Sequence, residues 1–263
     1  MSLTKSQLLA LKYHDRFDYP LTRLDLVRWE TGELVVDYRP ISIQCRNGFY
    51  FIKGRQGIIK KRLLREKVSE RKLAIAKRAV GIIGKVPTVK MVAITGSLAM
   101  KNTTPGADID LMIITQKGTL WVTRLTVLIV LIILGVPIRR FGERWQKDKL
   151  CLNIWLDESD LEWQIKNIFT AHEIAQIVPL VNKNRTYEAF INGNRWIKDY
   201  WPKAVSFERR AKSEESKRKP LNILSVLAER FTFFLQHQKM KSKITNEIIT
   251  PTRAVFHPRQ LGT

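Results

Sequence analysis

The chain has 263 residues and a mass of 30.6 kDa, enough for one large domain or two small ones. Hydrophobic residues make up 44% and charged residues 27%, a balance that supports a packed core and argues against wholesale disorder. Lys and Arg number 46 against 24 Asp and Glu, a formal charge of +22, which excludes indifference to nucleic acid, nucleotides or anionic membrane.

Three compositional parts follow one another. In residues 1–57, Ser6 to Leu11 start a short amphipathic helix that Asp18, Tyr19 and Pro20 break. Thr22 with Asp25 forms a capping-box pattern opening a second helix through Leu26 and Trp29. Two strand-like runs in residues 43–52 flank Asn47-Gly48, the strongest short-range hairpin signal. Helices followed by a basic hairpin suggest a small winged-helix-like module. Its recognition helix, residues 34–42, is interrupted by Pro40.

Residues 58–80 read as a basic helix bearing Lys60, Lys61, Arg62, Arg65, Lys67, Arg71, Lys72, Lys77 and Arg78. Leu64, Val68, Ile75 and Ala79 recur at helical spacing and are expected to form its buried face. The opposite face is either an ordinary solvated surface or a contact for a phosphate backbone. Residues 85–202 then alternate strands and helices: strands at 89–95, 109–115 and 150–156, helices at 120–134, 165–181 and 186–200. The apolar run 125–138 falls short of the ~20 residues that a membrane span needs and is expected to be a buried core helix. The third part, residues 203–263, opens with a charged linker. A helix follows, its Leu221, Leu224, Leu227, Phe231, Phe234 and Leu235 expected to be core or a dimer surface. The basic tail carries no readable pattern.

Cys45 and Cys151 form no CxxC pair, which excludes a disulfide scaffold and a zinc ribbon and suits a reducing cytosol. Residues 1–17 are charged throughout and hold no apolar run of signal-peptide length. A cytoplasmic protein without a membrane partner is expected.

One segment carries chemistry. Val92 to Thr95 end a strand in Gly96-Ser97, and ten residues later Asp108-Ile109-Asp110 open the next. Residues i and i+2 of a strand share a face, so Asp108 and Asp110 converge. Paired carboxylates repel unless a cation lies between them, and oxygen-only ligation suits Mg²⁺ or Mn²⁺. Gly96 admits a phosphate close to the backbone, and Ser97 offers a hydroxyl and an N–H at a helix N-terminus. The bland alternative is a pair of aspartates that cap and solvate a loop. Lys101 is placed to touch a triphosphate or to be a solvated surface lysine. Gly106 eases the turn into the second strand.

Gly96-Ser97 with Asp108-Ile109-Asp110 resembles the signature of the DNA polymerase β-like nucleotidyltransferase superfamily, over residues 85–156. The whole chain looks like bacterial proteins that precede such a domain with FDYPLT and GFYFIKGR segments and follow it with FTAHEIAQIVPL and FHP. The resemblance implies an α/β (α+β) core with a small mixed sheet, an N-terminal winged-helix-like module and a C-terminal helical extension. It also implies transfer of a nucleoside monophosphate from an NTP to RNA, DNA, protein or a small molecule, with Asp108 and Asp110 holding two metal ions. The family's third carboxylate aligns with Asn153, whose amide oxygen can ligate a metal but brings no charge. That departure favours the rival reading, a weakened transferase fold that only binds nucleotide or nucleic acid.

Other patterns are poor. The four histidines never occur at metal spacing, Ser97 lacks a nucleophile elbow, and no phosphate-loop pattern is present. Trp196, Tyr200 and Trp201 could stack a base, though helix packing is the simpler reading.

Overall fold

The computed structural model describes residues 3–35, 41–140, 142–206, 223–241 and 247–256. It is a mixed α+β structure. Its main sheet has six strands in the order β7-β4-β5-β6-β9-β8, and a smaller sheet has the order β1-β3-β2.

Helix α1, Lys5–Asp15, is closed at its start by a Thr4–Gln7 capping box. Strand β1, Leu21–Thr22, leads into α2, Arg23–Arg28, whose N-terminus carries the expected Thr22–Asp25 box. Strands β2, Ile43–Arg46, and β3, Phe49–Ile52, form the expected hairpin. Asn47 (φ 52°) and Gly48 (φ 78°) supply the two left-handed residues that a tight type I′ turn needs. Residues 36–40 of the expected recognition helix, His257 and Pro258 of the tail's FHP segment and most of the charged linker lie outside the described residues.

Helix α3, Gly57–Ile83, buries part of the expected face, Ala79 with Ile75 packed against the core, but not Leu64. Leu64 is exposed, whereas Arg62 and Lys72 are buried along with Ala76, Ala79, Val80 and Ile83. The reason is charge pairing. Arg62 bonds to Asp25 and Glu66, and Lys72 Nζ to Asp148 at 2.7 Å and to the Ala107 carbonyl at 2.6 Å.

Strand β4, Val89–Ile94, is followed by the one-turn helix α4, Gly96–Ala99, and by β5, Ile109–Thr115. β4 and β5 pair antiparallel; β5 and β6, Leu150–Asp157, pair parallel. Between β5 and β6 lies α5, Leu120–Ile133. It buries Leu120, Trp121, Val127 and Leu131 but exposes Ile129, Ile132 and Ile133, so the expected core helix covers the sheet with one stripe only.

After α6, Ile168–Gln176, the expected helix does not continue. Val178–Asn182 forms strand β7 at the sheet edge, where Pro179 sits at a register shift. Proline cannot serve a helix interior but is tolerated on an edge strand. Helix α7, Thr186–Gly193, follows.

The C-terminal part is not only helical. Helix α8, Ile223–Lys241, leads to β8, Ile248–Thr250, and β9, Arg253–Val255, which join the sheet beside β6. The apolar stripe of α8 is not core: Leu224 is 74% and Phe231 62% exposed. The helix instead docks through a different face, on which Phe233 and Met240 pack against the core and Glu229 and Gln236 make polar contacts. Glu229 accepts the Trp121 and Val122 N–H groups at 2.7 and 2.9 Å, satisfying the first turn of α5. Among the described residues no helix is long and apolar enough to cross a membrane.

The sheet is covered on both faces. Met91, Ala93, Met112, Ile114 and Leu156 pack with Leu11, Tyr13, Leu26 and Trp29 of the N-terminal helices and with Ala171 and Ile174. Val92, Ile94, Leu111, Ile113 and Trp155 pack with α3 and α5. Within the first cluster His14 and His172, distant in sequence, bring their Nε2 atoms to 3.2 Å.

Candidate functional site at the head of strands β4, β5 and β6

Strand alternation fixes the site. Met112 and Ile114 face the N-terminal helices, so Asp110, two residues earlier, projects from the same side of β5, and Asp108 follows it just outside the strand. The β4–β5 register sets Ile94 opposite Leu111, which brings Thr95 opposite Asp110; the Thr95 N–H donates to the Asp110 carbonyl at 3.1 Å. Opposed residues of an antiparallel pair share a face, so the Thr95 side chain joins Asp110 there.

Gly96 is required sterically. Its φ is +61°, and a Cβ built there would lie 2.6 Å from Oδ2 of Asp110. A side chain at this position would displace the carboxylate.

On the other side of β5, Asp110 pairs with Cys151 but Met112 pairs with Ile154, so β6 carries one extra residue. Such bulges re-aim side chains. Here Asn153 turns toward β5, and its Nδ2 donates to Oδ1 of Asp110 at 2.9 Å.

The loop before β5 is held by α3. Arg65 Nη1 donates to the Asn102 side chain at 3.1 Å, the Thr103 N–H donates to Ser69 Oγ at 3.4 Å, and Lys72 fixes the Ala107 carbonyl next to Asp108. Spacings of four and three residues align these side chains on one helix face.

Arg139 is the residue that sequence reasoning missed. Its Nη1 donates to Oδ2 of Asp108 at 2.6 Å and passes 3.9 Å from Cys151 Sγ. Partial burial opposes its charge, but the bond to Asp108 more than offsets this, and its pKa is held above the ordinary arginine value. No local pattern marks it: it follows the apolar run and reaches Asp108 only because Ile138 bridges to Leu150 beside β6.

Asp108, Asp110 and Cys151 present ligand atoms that all lie within 4.8 Å of one another. Burial, then the charges of Asp110 and Asp108, push the Cys151 thiol up. The oxygen donors Asp108, Asp110 and Asn153 fit Mg²⁺ or Mn²⁺ better. Two further features suit an added cation or ligand: Thr95 Oγ1 and Asn153 Oδ1 are buried without a hydrogen-bond partner, and Thr95 is 4% exposed.

Of the other expected residues, Ser97 is exposed at the first turn, and Lys101 is exposed with φ 54°. Helix α4 has one turn, so the dipole invoked for Ser97 contributes little. Of the basic residues on α3, Lys60, Lys67, Arg71, Lys77 and Arg78 are exposed, and Arg71 pairs with Asp148. Trp201 is fully buried against Tyr13, Trp29 and His172, which makes it packing and not a stacking platform. No protein-family model, curated protein or solved structure matches the chain.

Proposed function

We propose that the chain is a cytoplasmic nucleotidyltransferase of the polymerase β-like kind, which passes a nucleoside monophosphate from an NTP to an acceptor hydroxyl and releases pyrophosphate. The observation that carries this reading is the meeting of three strand ends: Gly96 against the Asp110 carboxylate, Asp108 beside it, and Asn153 turned in by the β6 bulge. An antiparallel β4–β5 pair with a parallel β6, within the six-stranded mixed sheet, supports this reading.

In this reading Asp108, Asp110 and the Asn153 amide oxygen hold Mg²⁺ or Mn²⁺, which would supply charge neutralisation for the triphosphate and acidify the attacking hydroxyl. Gly96 leaves room for a phosphate at the backbone, and the exposed Ser97 hydroxyl and Lys101 ammonium are the chain's own donors toward it. Arg139 adds positive charge next to Asp108. The face of α3 bearing Lys60, Lys67, Lys77 and Arg78 is the surface offered to a nucleic-acid acceptor, with the winged-helix-like N-terminal part beside it.

A second reading has its own support. Asn153 spends its amide on Asp110 instead of adding a third negative charge, which fits a fold kept for nucleotide binding without turnover.

The test is calorimetric titration of the four NTPs with Mg²⁺ and with Mn²⁺ into wild type and Asp108→Ala/Asp110→Ala. Metal-dependent binding present in wild type and lost in the double variant is expected. A folded wild type that binds none of the four would overturn both readings.

A further inference from the structure

We infer that the exposed stripe of α8 is the interface with a second copy of this chain, an antiparallel helix pair related by a two-fold axis level with residue 229. Successive helical residues turn by about 100°, which puts Ile223, Leu224, Leu227, Phe231, Phe234 and Leu235 within a sector of about 120°. Glu229, Phe233, Gln236 and Met240, which hold α8 to α5 and the core, fall on roughly the opposite side. The stripe therefore points away from the body of the chain, and its six side chains are 47–79% exposed. Together they exceed the roughly 300–600 Å² of the largest apolar patch on a typical monomer. They approach the about 800 Å² that each partner gives to a standard interface.

The spacing of the stripe identifies its occupant. Leu224, Leu227, Phe231 and Phe234 follow one another at intervals of three, four and three residues, the seam of paired helices. Counted outward from residue 229, the set is the same in both directions: Leu227 and Phe231 lie two residues away, Leu224 and Phe234 five, Ile223 and Leu235 six. A helix laid antiparallel on its own copy thus sets Leu227 level with Phe231 of the second copy, and Leu224 level with Phe234 of the second copy. Each layer occurs twice, as a self-complementary two-fold interface requires. A lipid surface or an unrelated protein imposes no such symmetry. Beyond Leu235 the same face turns polar at Gln238 and Lys241, so the apolar seam ends where the symmetric set ends. Each chain carries +22, and Arg230 of both copies stands on one side of the axis, so the pair should tighten as salt rises. A complex bridged by nucleic acid would loosen instead.

The experiment is sedimentation equilibrium of the nuclease-treated full chain over a range of concentrations, at low and at high salt. Twice the chain mass of 30.6 kDa is expected for wild type, more completely at high salt, and the single mass for Leu227→Glu/Phe231→Glu. Both positions are exposed in the single chain, so the variant should keep its fold, which circular dichroism checks. A wild type that stays single at every concentration and salt, or a folded variant that still pairs, overturns the inference. The wild-type mass decides even if the variant fails to fold. Oxidation in a Cys45→Ser background reads the register. Leu224→Cys/Phe234→Cys should give a covalent dimer. Leu224→Cys alone should not, because its two copies lie ten residues, about 15 Å, apart along the helices. A cross-link in Leu224→Cys alone, or none in the double variant, overturns the two-fold antiparallel arrangement.

Discussion

A methyl group added at Gly96 would meet Oδ2 of Asp110 at 2.6 Å while Cβ of Asp110 stays at 3.5 Å, an ordinary contact. The cost of Gly96→Ala therefore has two separable parts. The backbone part arises because φ is +61°, a left-handed conformation costing a residue with a Cβ about 1–2 kcal/mol. The steric part arises because the carboxylate must turn away and give up the Asn153 bond of 2.9 Å, a loss of about 1.5–3 kcal/mol for a hydrogen bond to a charged group. Truncating Asp110 to alanine removes the steric part in advance and leaves the backbone part. Urea unfolding of wild type, Gly96→Ala, Asp110→Ala and the double variant at pH 7 closes a thermodynamic cycle. The expected coupling between the two substitutions is about 1.5–3 kcal/mol, the double variant being more stable than the sum of the single losses. Additivity to within about 0.5 kcal/mol would falsify the claim that Gly96 exists to admit the Asp110 carboxylate.

Two further outcomes follow from buried charge. Lys72→Met removes a fully buried ammonium from Asp148 and from the Ala107 carbonyl; because the Asp148 side chain is 25% exposed, the loss should be about 2–3 kcal/mol, below that of a wholly buried pair. A urea midpoint shift worth less than about 1 kcal/mol would show that the clamp on the Asp108 loop is weak. His14 is pushed down to about 4 by burial, chiefly, and His172 well below its ordinary value for the same reason. The unfolded chain therefore binds protons that the folded chain refuses. Stability is complete above about pH 6.5 and falls as pH drops toward 4, by up to about 2.7 kcal/mol per pH unit for two sites. Urea midpoints from pH 7 to 4.5 should fall less steeply in His172→Phe, and an equal slope would rule out the pair as the source.

The local signals were legible where they depend on a few neighbouring residues. Asn47-Gly48 placed the hairpin, Thr22 with Asp25 opened α2, and the Gly96-Ser97 and Asp108-Ile109-Asp110 segments ended and began the strands expected of them. Features set by distant partners were not. Lys72 is buried because Asp148 meets it from 76 positions away, and α3 leaves Leu64, expected inside, exposed. Arg139 reaches the site through a bridge that no periodicity marks. Strand β7 was hidden in a helix-like run, with Pro179 the one residue arguing otherwise. The stripe on α8 was visible, but hydrophobic pattern alone does not reveal that the face bearing Glu229, Phe233, Gln236 and Met240 makes the contacts.

The order in which the chain is made gives the terminal hairpin a further significance. Strand β9 covers the free edge of β6, Arg253 bonds to Asp160 at 2.7 Å, and the Trp121 indole N–H is met by the carbonyls of Thr250 and Pro251. These partners leave the ribosome about a hundred residues after β6, some 5–20 s later at ordinary elongation rates of ~5–20 residues per second. During that interval the nascent sheet presents an apolar edge strand with unpaired amides, the feature most prone to stray pairing. Among the described strands the last in chain order, β9, is thus the one that pairs with the strand carrying Asn153, so chaperone dependence in the cell should centre on residues 248–255.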